Sequence, residues 1–216
     1  MNKRSPLLSA LLEMVSEQKV ELFKKTIDKR TKHITVVLEN IFQPHNSNAV
    51  MRTCDCFGIQ ESHVIENDNE YVLNEEIALG ASQWIDLYRH DKKENNTLDC
   101  INSLKQTGYK VIMTSPHTDD VTIDQLPLDE PVALFFGTEL TGISELAKEH
   151  ADGFVKIPMQ GFTESFNISV SAALCMYDVS TRLRASNVDW QLSEEEKTEI
   201  QIDWCKQVIK NPEGVE

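Results

Sequence analysis

Short β-branched runs alternate with helical stretches over most of this sequence, and that alternation narrows the available folds more than any other property of the chain. Residues 34–38 (ITVVL) form a β-branched run of the kind found in strands covered on both faces. Further strand-like segments follow at 62–66 (SHVIE), 84–88 (WIDLY), 109–114 (YKVIMT), 131–136 (PVALFF) and 153–157 (GFVKI). Helical patterns fall between them at 50–57, 97–108 and 143–150, and a long one follows at 165–184. This order is the sequence form of an α/β fold, a mostly parallel sheet flanked by helices. With 216 residues, 40% of them hydrophobic, the chain is large enough to bury one such core.

Both ends carry helical additions. Residues 5–25 place Leu8, Leu11, Leu12, Val15, Leu22 and Phe23 at mostly helical spacing, so an N-terminal helical extension (1–33) precedes the main domain (34–184). Residues 185–216 read as a linker and a C-terminal helix: Ser193 and Glu196 have capping-box spacing, and Ile200, Trp204 and Val208 recur every four residues. The stripe carrying Trp204 requires cover, from the domain core or from a second subunit.

Charge is segregated. The formal net charge of −14 argues against a protein whose whole surface binds nucleic acid, because neutralising phosphates requires a basic footprint. Residues 1–33 nevertheless hold eight basic against four acidic residues, a net of +4 that leaves −18 for the rest. That segment is either a solvated helix face or an anion-facing one. The five cysteines (Cys54, Cys56, Cys100, Cys175, Cys205) are odd in number and lack CxxC spacing, which indicates neither a disulfide framework nor a zinc site. Reduced thiols in the cytoplasm are the simplest reading. The start MNKRSPLLSALLEMV has a short apolar run closed by Glu13 and Glu17, unlike an export signal, and no run approaches the roughly 20 apolar residues that span a bilayer.

Three loops at strand ends carry the polar side chains that chemistry requires: 40–58, 135–144 and 157–167. In a parallel sheet, ligands bind beyond the carboxyl ends of the strands, where these loops converge if the strands are parallel. Arg52 lies six residues after Asn46 at a helix start and suits a phosphate or ribose clamp, with a salt bridge as the plainer role. Glu139 follows Gly137, where a glycine lets backbone approach a ligand closely. Ser165, Asn167 and Ser169 open the long apolar helix and serve as caps or as site residues. Neither GxxxxGK[ST] nor GxGxxG is present, which counts against kinase and dinucleotide chemistry.

Taken together and in order, HNSNAVMRTCDCFG, FFGTELTGIS and IPMQGFTESFNISVSAALCMYDV resemble the three motifs of the SpoU/TrmH family of RNA ribose 2′-O-methyltransferases, in the SPOUT superfamily. The resemblance covers roughly residues 34–182. It implies a deep C-terminal trefoil knot, a rare topology, with S-adenosylmethionine bound against it and no metal. Carried over to this sequence, the family's cofactor contacts fall on Thr114, Gly137, Ile157, Met159 and Phe166, several acting through backbone groups. Phe166 departs from the Leu usual in the family. The catalytic set implied is Arg52, Asn46, Glu139, Ser165 and Asn167, while Cys54 and Cys56 are left to helix packing.

Guanidinium stays protonated in proteins, so an orienting and charge-stabilising role suits Arg52 better than that of a base. The resemblance also implies a homodimer whose composite sites draw motif-one residues from one subunit and the cofactor cleft from the other. The extension at 1–33 is too short for the RNA-binding domain common in large ribosomal RNA enzymes of the family. It points to tRNA, with guanosine 18 as the first expectation, and to the basic N-terminal segment as part of the RNA footprint. Alternatives are a methyltransferase of the wobble-base ribose of tRNA, a ribosomal RNA 2′-O-methyltransferase, a non-catalytic adenosylmethionine- or RNA-binding protein, and an ordinary α/β small-molecule enzyme.

Overall fold

The computed structural model describes residues 5–72, 74, 78, 80–115, 121–138 and 141–209. Among them, seven strands form one parallel sheet: β1 (Ile34–Glu39), β2 (Glu61–Ile65), β3 (Asp86–His90), β4 (Lys110–Thr114), β5 (Val121–Thr122), β6 (Val132–Phe136) and β7 (Gly153–Lys156). The order across the sheet is β3-β2-β1-β6-β4-β7-β5, with Val37 opposite His63 on one side and Phe135 on the other. Side chains alternate between faces along each strand. Val36, Leu38, Leu134 and Phe136 enter one hydrophobic cluster, and Val37, Ala133 and Phe135 enter the other. Both faces are covered, which is why β1 and β6 carry no polar alternation.

The first face is covered by α3 (Pro44–Phe57) and α6 (Ile168–Ala185), the second by α4 (Asn96–Gln106) and the short α5 (Glu145–Glu149). Helix α3 begins six residues earlier than the sequence pattern predicts. Pro44 occupies its first turn, where the missing N–H costs nothing, so a residue that reads as a breaker is a starter, and Asn46 belongs to a helix rather than a loop. Gly58 ends α3 with φ 72°, a left-handed cap that favours glycine. Conversely, the predicted start of α6 at Ser165 moves to Ile168, with Asn167 as its cap. Cys54 is buried with its sulfur 3.7 Å from that of Met176, as expected for packing, whereas Cys56 is exposed, unlike the helix packing expected of it.

Strand β3 lies two residues beyond its predicted place. A 3-10 turn at Ala81–Gln83 consumes the approach to Trp84, and the strand, at the sheet edge, is only partly buried. The two-residue β5 was absent from the sequence pattern. Arg182 of α6 fixes the chain after it by donating to the carbonyls of Ile123 and Leu126 at 2.7 and 2.8 Å.

Residues 32–190 form one compact unit; residues 1–31 and 191–216 form another. In the latter, α1 (Pro6–Glu13) and α2 (Glu17–Ile27) pack with α7 (Glu194–Val208), which starts with the reciprocal Ser193–Glu196 capping box. Trp204 is covered there by Phe23, at 5.4 Å between ring centroids, and by the guanidinium of Arg30. Among the described residues, no helix is long and apolar enough to cross a membrane.

Candidate active site

Because every strand runs the same way, the ends of β1, β4, β6 and β7 open on one edge of the sheet. A cleft of about 520 Å³ lies there, lined by Thr114, Gly137, Phe166 and Asn167 among others, and a smaller hollow of about 60 Å³ adjoins it through Thr114, Ser115, Ser165 and Phe166. Ile157 and Met159 line the hollow. The five residues expected to hold a cofactor, Thr114, Gly137, Ile157, Met159 and Phe166, thus gather around one continuous space of ligand size. Another cavity, about 470 Å³, opens at the opposite edge against Lys110, Val132 and Gly153, and none of the expected residues lines it.

Main chain forms much of the cleft wall. After β6 the chain doubles back: Thr138 and Gly142 exchange backbone hydrogen bonds at 3.0 Å, and a Cβ on Gly137 would stand 2.2 Å from the carbonyl carbon of Gly142. Only glycine permits that approach. Thr114 spends its hydroxyl on the carbonyl of Phe135 at 2.7 Å, and the cleft sets the apolar Phe136, Ile143, Phe154 and Phe166 beside the polar Thr138, Thr141, Lys148 and Glu164. The apolar side chains suit an adenine ring, and the polar ones beside them suit the rest of a nucleoside.

Asn46 and Asn167 meet at the edge of this cleft. The Asn167 amide donates to Asn46 Oδ1 at 3.2 Å, while its own Oδ1 accepts from the backbone and hydroxyl of Ser169 at 2.9 and 2.6 Å. Motif one and motif three, 121 residues apart, are therefore in contact. Ser165 lines both parts of the cleft. Arg52 does not. It is exposed on α3, about 120° round the helix from Asn46, and among the described residues it has no hydrogen-bond or ion-pair partner. Glu139 lies outside the described residues.

Sequence reasoning missed Ser115, Thr138 and Ile143, all of which line the cleft. It also missed Glu39, a buried carboxylate at the end of β1. The signal for Glu39 was an acidic residue closing an apolar strand.

This chain matches the model of the SpoU rRNA Methylase family over residues 33–177. It is 40% identical to the tRNA (guanosine(18)-2′-O)-methyltransferase of Borreliella burgdorferi, over 97% of this chain and 94% of that protein. The enzyme of the same name from Thermus thermophilus is 31% identical over 88% and 97%. The crystal structure of the TrmH/SpoU tRNA modifying enzyme of Aquifex aeolicus superimposes with a TM-score of 0.79 at 27% identity, covering 90% of this chain and 98% of that one.

Proposed function

Because this chain belongs to the SpoU rRNA Methylase family, an S-adenosylmethionine-dependent RNA 2′-O-methyltransferase family, we propose that it methylates tRNA, at the ribose 2′-hydroxyl of guanosine 18. The observation that carries the reading is the cleft itself: five expected cofactor residues line one space, and the Asn46–Asn167 contact stands at its edge. Relatives named for guanosine 18 match along nearly the whole chain, which favours tRNA over ribosomal RNA. Residues 34–184 are on this reading the methyltransferase domain, with 1–33 and 185–216 as terminal extensions, working in the cytoplasm.

S-adenosylmethionine, when bound, supplies an electrophilic methyl group on a sulfonium. Thr114, Gly137, Ile157, Met159 and Phe166 hold it, largely through backbone groups and apolar contact. Asn46, Ser165 and Asn167 fix the ribose beside it, a matter of orientation. The Arg52 guanidinium stabilises the negative charge that grows on the 2′-oxygen as its proton passes to an RNA phosphate. Glu139 steadies Arg52 or the backbone near it. The trefoil knot belongs to the same reading, since 157–167 shares one cleft wall with Thr114 and Ser115.

Two features support a homodimer with composite sites. Val170, Leu174 and Tyr177 make an exposed apolar stripe along α6, with Tyr177 62% exposed, and a second copy would cover it. Arg52 misses the cleft of its own chain, so it serves the partner's. Lys24 and Lys25, exposed on α2, belong to the RNA footprint.

Methyl transfer from labelled adenosylmethionine to unmodified tRNA transcripts and ribosomal RNA fragments, with the modified nucleotide mapped by nuclease digestion and mass spectrometry, tests the proposal. A 2′-O-methyl group at guanosine 18 is expected. Methylation confined to ribosomal RNA would reassign the substrate, and cofactor binding without methylation of any RNA would favour the non-catalytic alternative.

A further inference from the structure

Glu39 is 3% exposed at the carboxyl end of β1, and its two oxygens take three hydrogen bonds from two distant segments. Oε2 accepts from the Ser144 backbone N–H at 2.9 Å. Oε1 accepts from the Ser144 hydroxyl at 2.7 Å and the Thr97 hydroxyl at 2.8 Å. Thr97 is itself held by Asn67, whose amide donates to its hydroxyl at 3.0 Å. Among the described residues no Lys or Arg pairs with this carboxylate, so neutral donors alone offset its burial.

The place matters more than the number of bonds. Leu38 stands opposite Phe136, which sets Glu39 level with Gly137, the residue that begins the doubled-back turn. The Thr138–Gly142 pairing closes that turn on itself, but it does not fix the turn relative to the sheet. Ser144 does so, as the first residue after the turn and the cap of α5, whose Ala147 N–H it accepts at 3.2 Å. Five cleft residues, Gly137, Thr138, Thr141, Gly142 and Ile143, lie between the strand and that anchor.

We propose that Glu39 is a positioning residue for cofactor binding: by holding Ser144 against β1 and Thr97, it sets the stance of the 137–143 turn toward the adenosylmethionine cleft. This rests on the reading of the cleft given above. Glu39 does not line the cleft, so it acts on the cofactor through the turn rather than by contact.

The test is steady-state methyl transfer by the full-length protein, with KM for adenosylmethionine, KM for tRNA and kcat measured separately for Glu39→Ala and Glu39→Gln. Glu39→Ala is expected to raise the cofactor KM about tenfold or more, with kcat at saturating cofactor within about threefold of wild type and KM for tRNA unchanged. Glu39→Gln should recover most of the loss, because the Ser144 and Thr97 hydroxyls can turn to accept from the amide while its oxygen serves the Ser144 N–H. An unchanged cofactor KM in Glu39→Ala, or equal damage to cofactor KM, tRNA KM and kcat, overturns the proposal. If Glu39→Ala does not fold, Ser144→Ala and Thr97→Val replace it. The first should raise the cofactor KM more than the second, and equal effects count against a role through the turn. A wild-type protein that does not bind adenosylmethionine overturns both this proposal and the reading beneath it, whereas a wild-type enzyme indifferent to Glu39 overturns this one alone.

Discussion

Arg52 has the charge the proposed reaction needs and no tie within the described chain that would spend it elsewhere. An arginine committed to a structural ion pair is held by its partner; this one extends from α3 into solvent. If its work is to stabilise charge on the 2′-oxygen, a lysine should do part of that work, with fewer donors and poorer geometry. Arg52→Lys is therefore expected to keep roughly 1–10% of wild-type kcat, and Arg52→Ala to lose about 10²–10³-fold, the range for removing an oxyanion donor. Single-turnover methyl transfer alongside calorimetric titration of adenosylmethionine would decide. Loss of all activity in Arg52→Lys with cofactor affinity intact would mean that the planar guanidinium fork, not its charge, is required.

At the scale of elements, strands were legible where both faces are covered. Residues 34–38 and 131–136 read as β-branched or apolar runs without alternation because no position on β1 or β6 meets water. The edge strand β3 was displaced in the sequence reading because its burial is mixed, and β5 has too few residues to show any period. Asn46, Ser165 and Asn167 drew notice as polar side chains at strand ends and a helix start, and the motif resemblance gave them roles; the contact between Asn46 and Asn167 was not legible from periodicity. Glu39 drew no notice, because the donors that give it meaning lie 58 and 105 residues along the chain.

The corner between β2, β3 and α4 was equally hidden, and it makes stability depend on pH. His63, 6% exposed, lies edge to edge with His90 at 3.1 Å between nitrogens, and His90 in turn reaches Asp99 of α4 at 3.3 Å. Burial, with the neighbouring His90 adding to it, pushes the His63 pKa down from 6.5 to about 3. The unfolded chain therefore binds a proton that the folded chain refuses across this window. Stability is full above pH 6.5 and falls as the pH drops toward 3, by about 1.4 kcal/mol per unit. Between pH 7 and pH 5 the wild type is expected to lose about 2 kcal/mol more than His63→Gln in urea titrations, only the part of that interval below 6.5 contributing. Parallel losses in the two proteins would assign the acid sensitivity to other groups.

For the whole molecule, the question is how a complete site arises from a chain that keeps its cleft on one sheet edge and directs Arg52 away from it. The proposed twofold dimer would answer it, since each subunit could then supply what the other lacks. Two defective variants distinguish this arrangement from a site within one chain. Arg52→Ala leaves the cleft intact. Gly137→Ala keeps Arg52 but drives a methyl group into the Gly142 backbone at 2.2 Å, so the turn that walls the cleft must open. Each homodimer is expected to be inactive. In a heterodimer, the cleft of the Arg52→Ala subunit faces the intact Arg52 of its partner, giving one working site of two. Random exchange makes half the dimers mixed, so a 1:1 mixture should recover about one quarter of wild-type activity. A site contained within a single chain predicts no recovery at any mixing ratio, because neither variant then holds a complete set, and differently tagged subunits purified as mixed dimers separate that result from a failure to exchange.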